Sequence, residues 1–276
     1  MKFFRYIQVL SLALVACMLL SCANEDVIFP GEGKEVTVNF RPTIDVTRAI
    51  GDASSIDQLI VGVYEGNDTK TRVYTDVKNW DDVKKNGGYI SLTLIEGRAY
   101  HIVFWAQNSH NTAYKFTDNG SVTVNYTDYQ EGGFAKMEQM DAFCATISVT
   151  VSGANASNPS VTLKRPLAQF NIADDTTQPI QGTHKAVVTF HGAPASFNPF
   201  TGEVVMGSDD VAFTFTDFPT ETLSVAGVTY YYISSNYLFA PAANTTTIDA
   251  TLDLQNIDGT SIKTIQLDDV TLEHNK

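Results

Sequence analysis

Residues 35–52 read Glu35-Val-Thr-Val-Asn-Phe-Arg-Pro-Thr-Ile-Asp-Val-Thr-Arg-Ala-Ile-Gly-Asp52. Val36, Val38 and Phe40 alternate with Glu35, Thr37, Asn39 and Arg41, the period of a strand that buries one face. Pro42 has no backbone N–H and is read as the end of that ladder. Arg48 follows in a run of small and turn-forming residues that closes at Gly51. The bond between Arg48 and Ala49 is therefore a candidate cut for a trypsin-like protease placed just behind the first strand. Once cut, the strand is free to leave its sheet, and the apolar groove it vacates invites another chain's strand.

Removing a leader of 21 residues leaves about 255 of the 276, which suits two units better than one. Aromatics at 11%, with abundant Val, Ile and Thr and little helical periodicity, point to an all-β protein. The formal charge of −13 excludes a nucleic-acid partner, because phosphate binding needs a basic surface, and it also excludes adhesion to an anionic bilayer by charge alone. Five scattered histidines without a His-Glu-x-x-His pattern give no metal site. Asp81-Asp82, Asp174-Asp175, Asp209-Asp210 and Asp268-Asp269 sit at expected turns, and neighbouring strand residues point to opposite faces, so they do not form catalytic carboxylate pairs. With no Gly-x-Ser-x-Gly elbow and no phosphate loop, neither an enzyme nor a cofactor is expected.

At the N-terminus, Lys2 and Arg5 precede an apolar run from Val9 to Leu20 that is short for a membrane span. Leu19-Leu20-Ser21-Cys22 closes it. The pattern resembles a bacterial lipoprotein signal, residues 1–21, with Cys22 as the site of lipid attachment. Several acyl chains anchor far more firmly than the single chain that binds only marginally. The acidic run Asn24-Glu25-Asp26 resembles a surface-export signal. Cys17 lies in the leader, so only Cys144 remains in the body; no internal disulfide forms, and Cys144 beside Phe143 is read as a core residue.

Strands are expected over 56–64, 72–77 (an edge strand), 90–95, 100–107 (central, with both faces apolar) and 121–126. Phe134, Met137, Met140 and Phe143 recur at intervals of three and mark one short helix. Residues 147–151 and 160–164 are read as a hairpin around Gly153. A polar stretch from Asp174 to Thr183, with Pro179 and Gly182, is read as the boundary between units. Short strands then follow at 185–190, 195–197, 202–206, 211–216, 222–225, 229–237, 245–254 and 261–267, a spacing typical of a sandwich or barrel.

Five motifs, taken in order, resemble the fimbrillin-like lipoprotein family, the type V pilins and related adhesins of anaerobic Gram-negative bacteria. They are Thr47-Arg48-Ala49-Ile50, Phe104-Trp105-Ala106-Gln107-Asn108, Asp141-Ala142-Phe143, Leu163-Lys164-Arg165-Pro166-Leu167-Ala168-Gln169 and Phe197-Asn198-Pro199-Phe200-Thr201-Gly202-Glu203-Val204. The resemblance implies two transthyretin-like (Greek-key) β-sandwich domains in tandem, with one short helix in the first. It divides the chain into a signal peptide at 1–21, a lipidated pro-segment with a removable first strand at 22–48, an N-terminal sandwich at 49–176 and a C-terminal sandwich at 180–276. It further implies a subunit of a cell-surface fimbria or an associated adhesin, held in the outer membrane by its lipid and cut after Arg48 by an arginine-specific surface protease. Other fimbrial subunits would then join by donor-strand exchange, filling the seat of Val36, Val38 and Phe40. Family members continue beyond the position of Lys276, so the C-terminal sandwich is expected to be incomplete, to end on residues 261–272, or to accept a strand without donating one.

The alternative is a non-polymerising surface glycan-binding lipoprotein or an anchor subunit. Trp105 lies in a central strand, and Tyr230-Tyr231-Tyr232 alternate faces. Trp80, in a polar setting, is then the candidate platform for a sugar ring.

Overall fold

A computed structural model describes residues 33–46, 52–65, 71–153, 158–175, 181–219 and 222–274. The first strand, β1 (Glu35–Ile44), pairs antiparallel with β4 (Ile90–Ile95) from Glu35 to Phe40 and parallel with β9 (Ser160–Leu163) from Arg41 to Ile44. Facing this sheet is an antiparallel sheet of order β3 (Thr71–Asn79), β2 (Gln58–Glu65), β5 (Ala99–Gln107), β8 (Ala142–Thr150). Leu59, Val61 and Val63 of β2 and Tyr100, Ile102 and Phe104 of β5 turn one way, into a core shared with Val38, Phe40, Leu92, Leu94, Val161 and Leu163.

The other face of β5 is apolar too, as expected of a central strand. Trp105 lies in a second core and meets Tyr114, Phe116 and Phe239 edge-on at centroid distances of 5.3, 5.5 and 6.3 Å. The sheet containing β5 is thus a middle layer. Covering part of its far side are β6 (Tyr114–Phe116) and β7 (Val122–Val124), which join β12 (Pro194–Asn198) and β13 (Glu203–Met206) in one sheet. Phe200, at the β12–β13 turn, sits against Tyr64 at 5.2 Å. The remaining sheets are β14 (Val211–Phe215), β11 (Lys185–His191), β17 (Thr246–Gln255), β18 (Ser261–Leu272), and β10 (Leu167–Asp174), β16 (Val228–Phe239), β15 (Thr222–Val225), each in that order. β10 pairs with β16 along its whole length, so hydrogen bonding runs across the polar stretch at 174–183.

The all-β sandwich expected from the sequence is the fold found. Several local readings are corrected. Pro42 does not end the first strand: Arg41 N–H and Asp45 N–H donate to Pro159 O and Leu163 O on the β9 side, which turns the nitrogen of Pro42 to the other side, beyond the start of β4, where no ladder donor is needed. Residues 147–151 and 160–164 do not form a hairpin, because β8 pairs with β5 and β9 with β1; only Cys144 and Lys164 bridge them. Among the described residues there are two α-helices, not one. Besides α2 (Gly133–Glu138) there is α1 (Trp80–Lys85), where Asn79 Oδ1 accepts from the Asp81 and Asp82 N–H groups at 3.0 and 3.1 Å. That side chain satisfies orphan donors at the helix start, and Asp81, Asp82, Lys84 and Lys85 complement the helix dipole. Phe143 belongs to β8 and not to the helical stripe.

One buried ionic group lies where these layers meet. Arg165 grips Asp141 through Nε–Oδ1 at 2.6 Å and Nη2–Oδ2 at 2.9 Å, with both side chains at most 1% exposed. The guanidinium also lies 4.9 Å from the centroid of the Phe143 ring. Next to this pair, Tyr237 OH donates to Glu138 Oε1 at 3.1 Å. Burial, reinforced by the nearby Asp141 charge, pushes the Glu138 carboxyl up to about 7.

Two stability predictions follow from this group. Asp141→Ala strands the buried guanidinium and should cost about 3–5 kcal/mol in chemical denaturation. Glu138 binds its proton more tightly in the folded chain than its ordinary value of 4.5. Its contribution to stability should therefore be complete below about pH 4.5 and disappear as pH rises to about 7. Urea midpoints measured across that window should show this fall in the natural chain but not in Glu138→Gln, which keeps an acceptor for Tyr237.

Candidate functional site

The even-numbered residues of β1 fill its seat. Val38 is 2% exposed and Phe40 fully buried, Pro42 is buried, and Val36 and Ile44 are half-buried. Opposite them in register lie Leu94 against Val36, Leu92 against Val38 and Ile90 against Phe40. On the β9 side, Val161 and Leu163 stand against Pro42 and Ile44. The Phe40 ring lies 5.6 Å from that of Phe104 in the middle sheet, so the strand is keyed into both layers.

The odd-numbered residues point out and make polar contacts of little energetic weight. Ser91 Oγ donates to Asn39 Oδ1 at 2.6 Å, and the Thr37 and Thr93 hydroxyls are 3.4 Å apart. Arg41 lies over the Tyr89 ring at 5.8 Å. At the N-terminal end, the Lys34 ammonium is 3.1 Å from Glu96, holding that carboxyl below its usual range with help from the Gly153 N–H. Exposed ion pairs of this kind contribute little. The hold on β1 is therefore apolar burial plus backbone ladder, and both can be reproduced by another strand of the same pattern.

The residues named from the sequence fare differently. Val36, Val38 and Phe40 are brought together in one seat. Cys22, Arg48 and Ala49 lie outside the described residues. Flanking the latter two, Val46 is 42% exposed and Asp52 is exposed. Trp80 is only 8% exposed and packs within the first core, so it offers no open ring face to a sugar. Its polar sequence setting reflects the outer face of a capped helix that turns Trp80 and Val83 inward. Sequence reading missed Pro42 and Ile44 as continuations of the seat, although the even-numbered alternation runs through both. It also missed Val161 and Leu163 as the far wall, for which no local signal exists. Among the described residues, no group of three potential ligands could hold a metal, and no helix is long and apolar enough to cross a membrane.

These layers define an all-β sandwich protein whose first strand is held by segments remote in sequence. The chain belongs to the family described as a family of unknown function (DUF6562), whose model matches residues 30–276. No curated protein matches it. Solved structures do. A candidate polysaccharide-binding protein from Bacteroides thetaiotaomicron is similar with a TM-score of 0.54 at 10% identity, over 83% of this chain and 79% of that one. A candidate adhesin from Bacteroides ovatus gives 0.54 at 14% identity, over 84% and 77%. A second candidate adhesin from the same species gives 0.51 at 11%, over 84% and 82%. The likeness is one of fold, and it agrees with the sandwich expected from the fimbrillin-like motifs.

If apolar burial holds β1 in place, Phe40→Ala should destabilise the chain by about 3–5 kcal/mol. Thr43→Ala, on the outward face, should change stability by no more than about 0.5 kcal/mol. Paired urea titrations of the two variants check this.

Proposed function

We propose that this chain is a structural subunit of a cell-surface fimbria or a fimbria-associated adhesin. In this reading it is exported as a lipoprotein attached through Cys22, matured by an arginine-specific protease between Arg48 and Ala49, and assembled when a strand from another subunit replaces β1. The observation that carries the reading is the dual pairing of β1, antiparallel to β4 and parallel to β9, over a face that buries Val38 and Phe40. A cut after Arg48 lies beyond the end of the strand and severs it from the rest of the sandwich without removing any residue of the seat.

The energetics suit an exchange. Burial of Val36, Val38 and Phe40 contributes on the order of 5 kcal/mol, at about 1.5–3 per fully buried side chain. Ladder hydrogen bonds add about 0.5–1.5 kcal/mol each. A replacement strand with the same alternation recovers all of this. An emptied seat, with two unpaired strand edges, is a strong template for such a strand. The fold likeness to candidate adhesins supports a structural role over an enzymatic one.

N-terminal sequencing of protein sheared from cells, combined with gels of unboiled samples, tests the proposal. The expected outcome is a sequence starting at Ala49 and a ladder of multimers that boiling collapses. Intact lipidated monomers under both conditions would contradict it.

A further inference from the structure

A second feature of the fold lies away from the seat of β1. β7 and β12 pair only through Thr123 with Ser196 and Val122 with Phe197. Immediately beyond, the strands part. Pro194 has no N–H to offer the ladder, the register of β12 against β13 slips between Pro194 and Ser196, and the carbonyl of Pro194 accepts instead from Tyr126 OH at 2.8 Å. Bulges of this kind are enriched beside functional sites. The parting leaves a cleft of about 320 Å³ between the turn after β7 and the turn joining β13 to β14.

The second turn is fixed closely against the segment that leads into β12. Gly207 N–H donates to Ala193 O at 2.8 Å, and a Cβ on Gly207 would come within 2.7 Å of that same oxygen, so only glycine fits. The floor is small and apolar: Ala193 and Pro194, with the buried Tyr126 ring beside them and the exposed Ala195 at the edge. The rim is polar, with Asn125, Thr127 and Gln130 on one side and Ser208, Asp209 and Asp210 on the other. Asp210 is held in place, since His191 Nδ1 lies 2.9 Å from its Oδ2 and His191 Nε2 lies 3.0 Å from Thr251 Oγ1. Asp209 Oδ1 accepts from Ser208 Oγ at 3.3 Å.

The chemistry of the lining selects among ligands. No lysine or arginine lines the cleft, so phosphate, sulfated or sialylated groups would meet two carboxylates and no countercharge. No third acidic or histidine ligand joins the two aspartates in a metal cluster among the described residues. The volume lies at the low end of small-molecule sites, which run from roughly 300 to 1,000 Å³, too small for a folded partner or a long peptide. An uncharged ring with an apolar face and several hydroxyl donors matches both the floor and the rim.

We propose that this cleft binds a hexose unit of a neutral glycan, with Asp209 and Asp210 accepting hydrogen bonds from sugar hydroxyls and the Ala193–Ala195 strip lying beneath the ring. The site shares no residue with the seat of β1, so it is independent of strand exchange and persists whether or not the chain polymerises. It also differs from the Trp80 platform suggested by the sequence.

The test uses the full chain on an array of neutral hexose oligosaccharides together with sialylated and sulfated counterparts, followed by calorimetric titration of the best neutral binder. Asp209→Ala removes an acceptor, and Ala195→Trp fills the cleft from its exposed edge without removing any polar partner. Trp80→Phe serves as a control in the other core. Each cleft variant, checked for an unchanged thermal transition, should lose at least tenfold in affinity, while Trp80→Phe should bind as the natural chain does. Absence of neutral-glycan binding, preference for the anionic counterparts, or an affinity in either cleft variant unchanged from the natural chain would each overturn the proposal.

Discussion

The first β-sheet exists because of one strand. β4 and β9 do not touch each other as ladder partners; β1 pairs with the first through its N-terminal half and with the second through its C-terminal half. Two segments separated by some sixty residues are thereby joined into one apolar wall, and Phe40 locks that wall to the middle layer. Loop closure between remote segments costs entropy. Here that cost is offset by the burial of a single alternating segment at the beginning of the body of the protein.

The middle sheet makes this arrangement tolerant of change. β5 presents Tyr100, Ile102 and Phe104 to one core and Trp105 to another. The second core is closed by strands from both halves of the chain and stiffened by the buried Asp141–Arg165 pair. Loss of β1 exposes the first core on one side only. β9 also remains tied at its end, since Lys164 and Cys144 exchange backbone hydrogen bonds of 2.9 and 2.8 Å. The architecture therefore sets β1 and its wall apart from the rest of the sandwich, which is what the proposed strand exchange requires.

Much of this was legible in the sequence, for reasons that can be stated. Strands such as β11, β14 and β17 alternate cleanly because one face is buried and the other wet, and their limits match the expected ones within a residue or two. β5 reads as central because both of its faces are apolar. Failures came where a local rule met a non-local partner. Pro42 looks like a strand breaker until β9 is known to take the neighbouring donors. The parallel pairing of β9 leaves no trace in its own four residues, whose sequence reads as half of a hairpin with β8. Trp80 looked exposed because the residues after it are charged, yet capping by Asn79 makes them the outer face of a helix. The cleft at Pro194 is invisible in the sequence for a related reason: its walls come from segments about seventy residues apart, tied by the hydrogen bond from Tyr126 to Pro194.

The central claim is that β1 is a separable part whose departure empties one seat and leaves the remainder folded. Amide hydrogen exchange on the full chain, before and after cleavage by an arginine-specific protease, measures this directly. The account predicts that, once the fragment ending at Arg48 is removed, residues 90–95 and 160–163 lose protection together while β5, β10 and β16 keep theirs. Unchanged protection in β4 and β9, or collapse of protection throughout the chain, would contradict it.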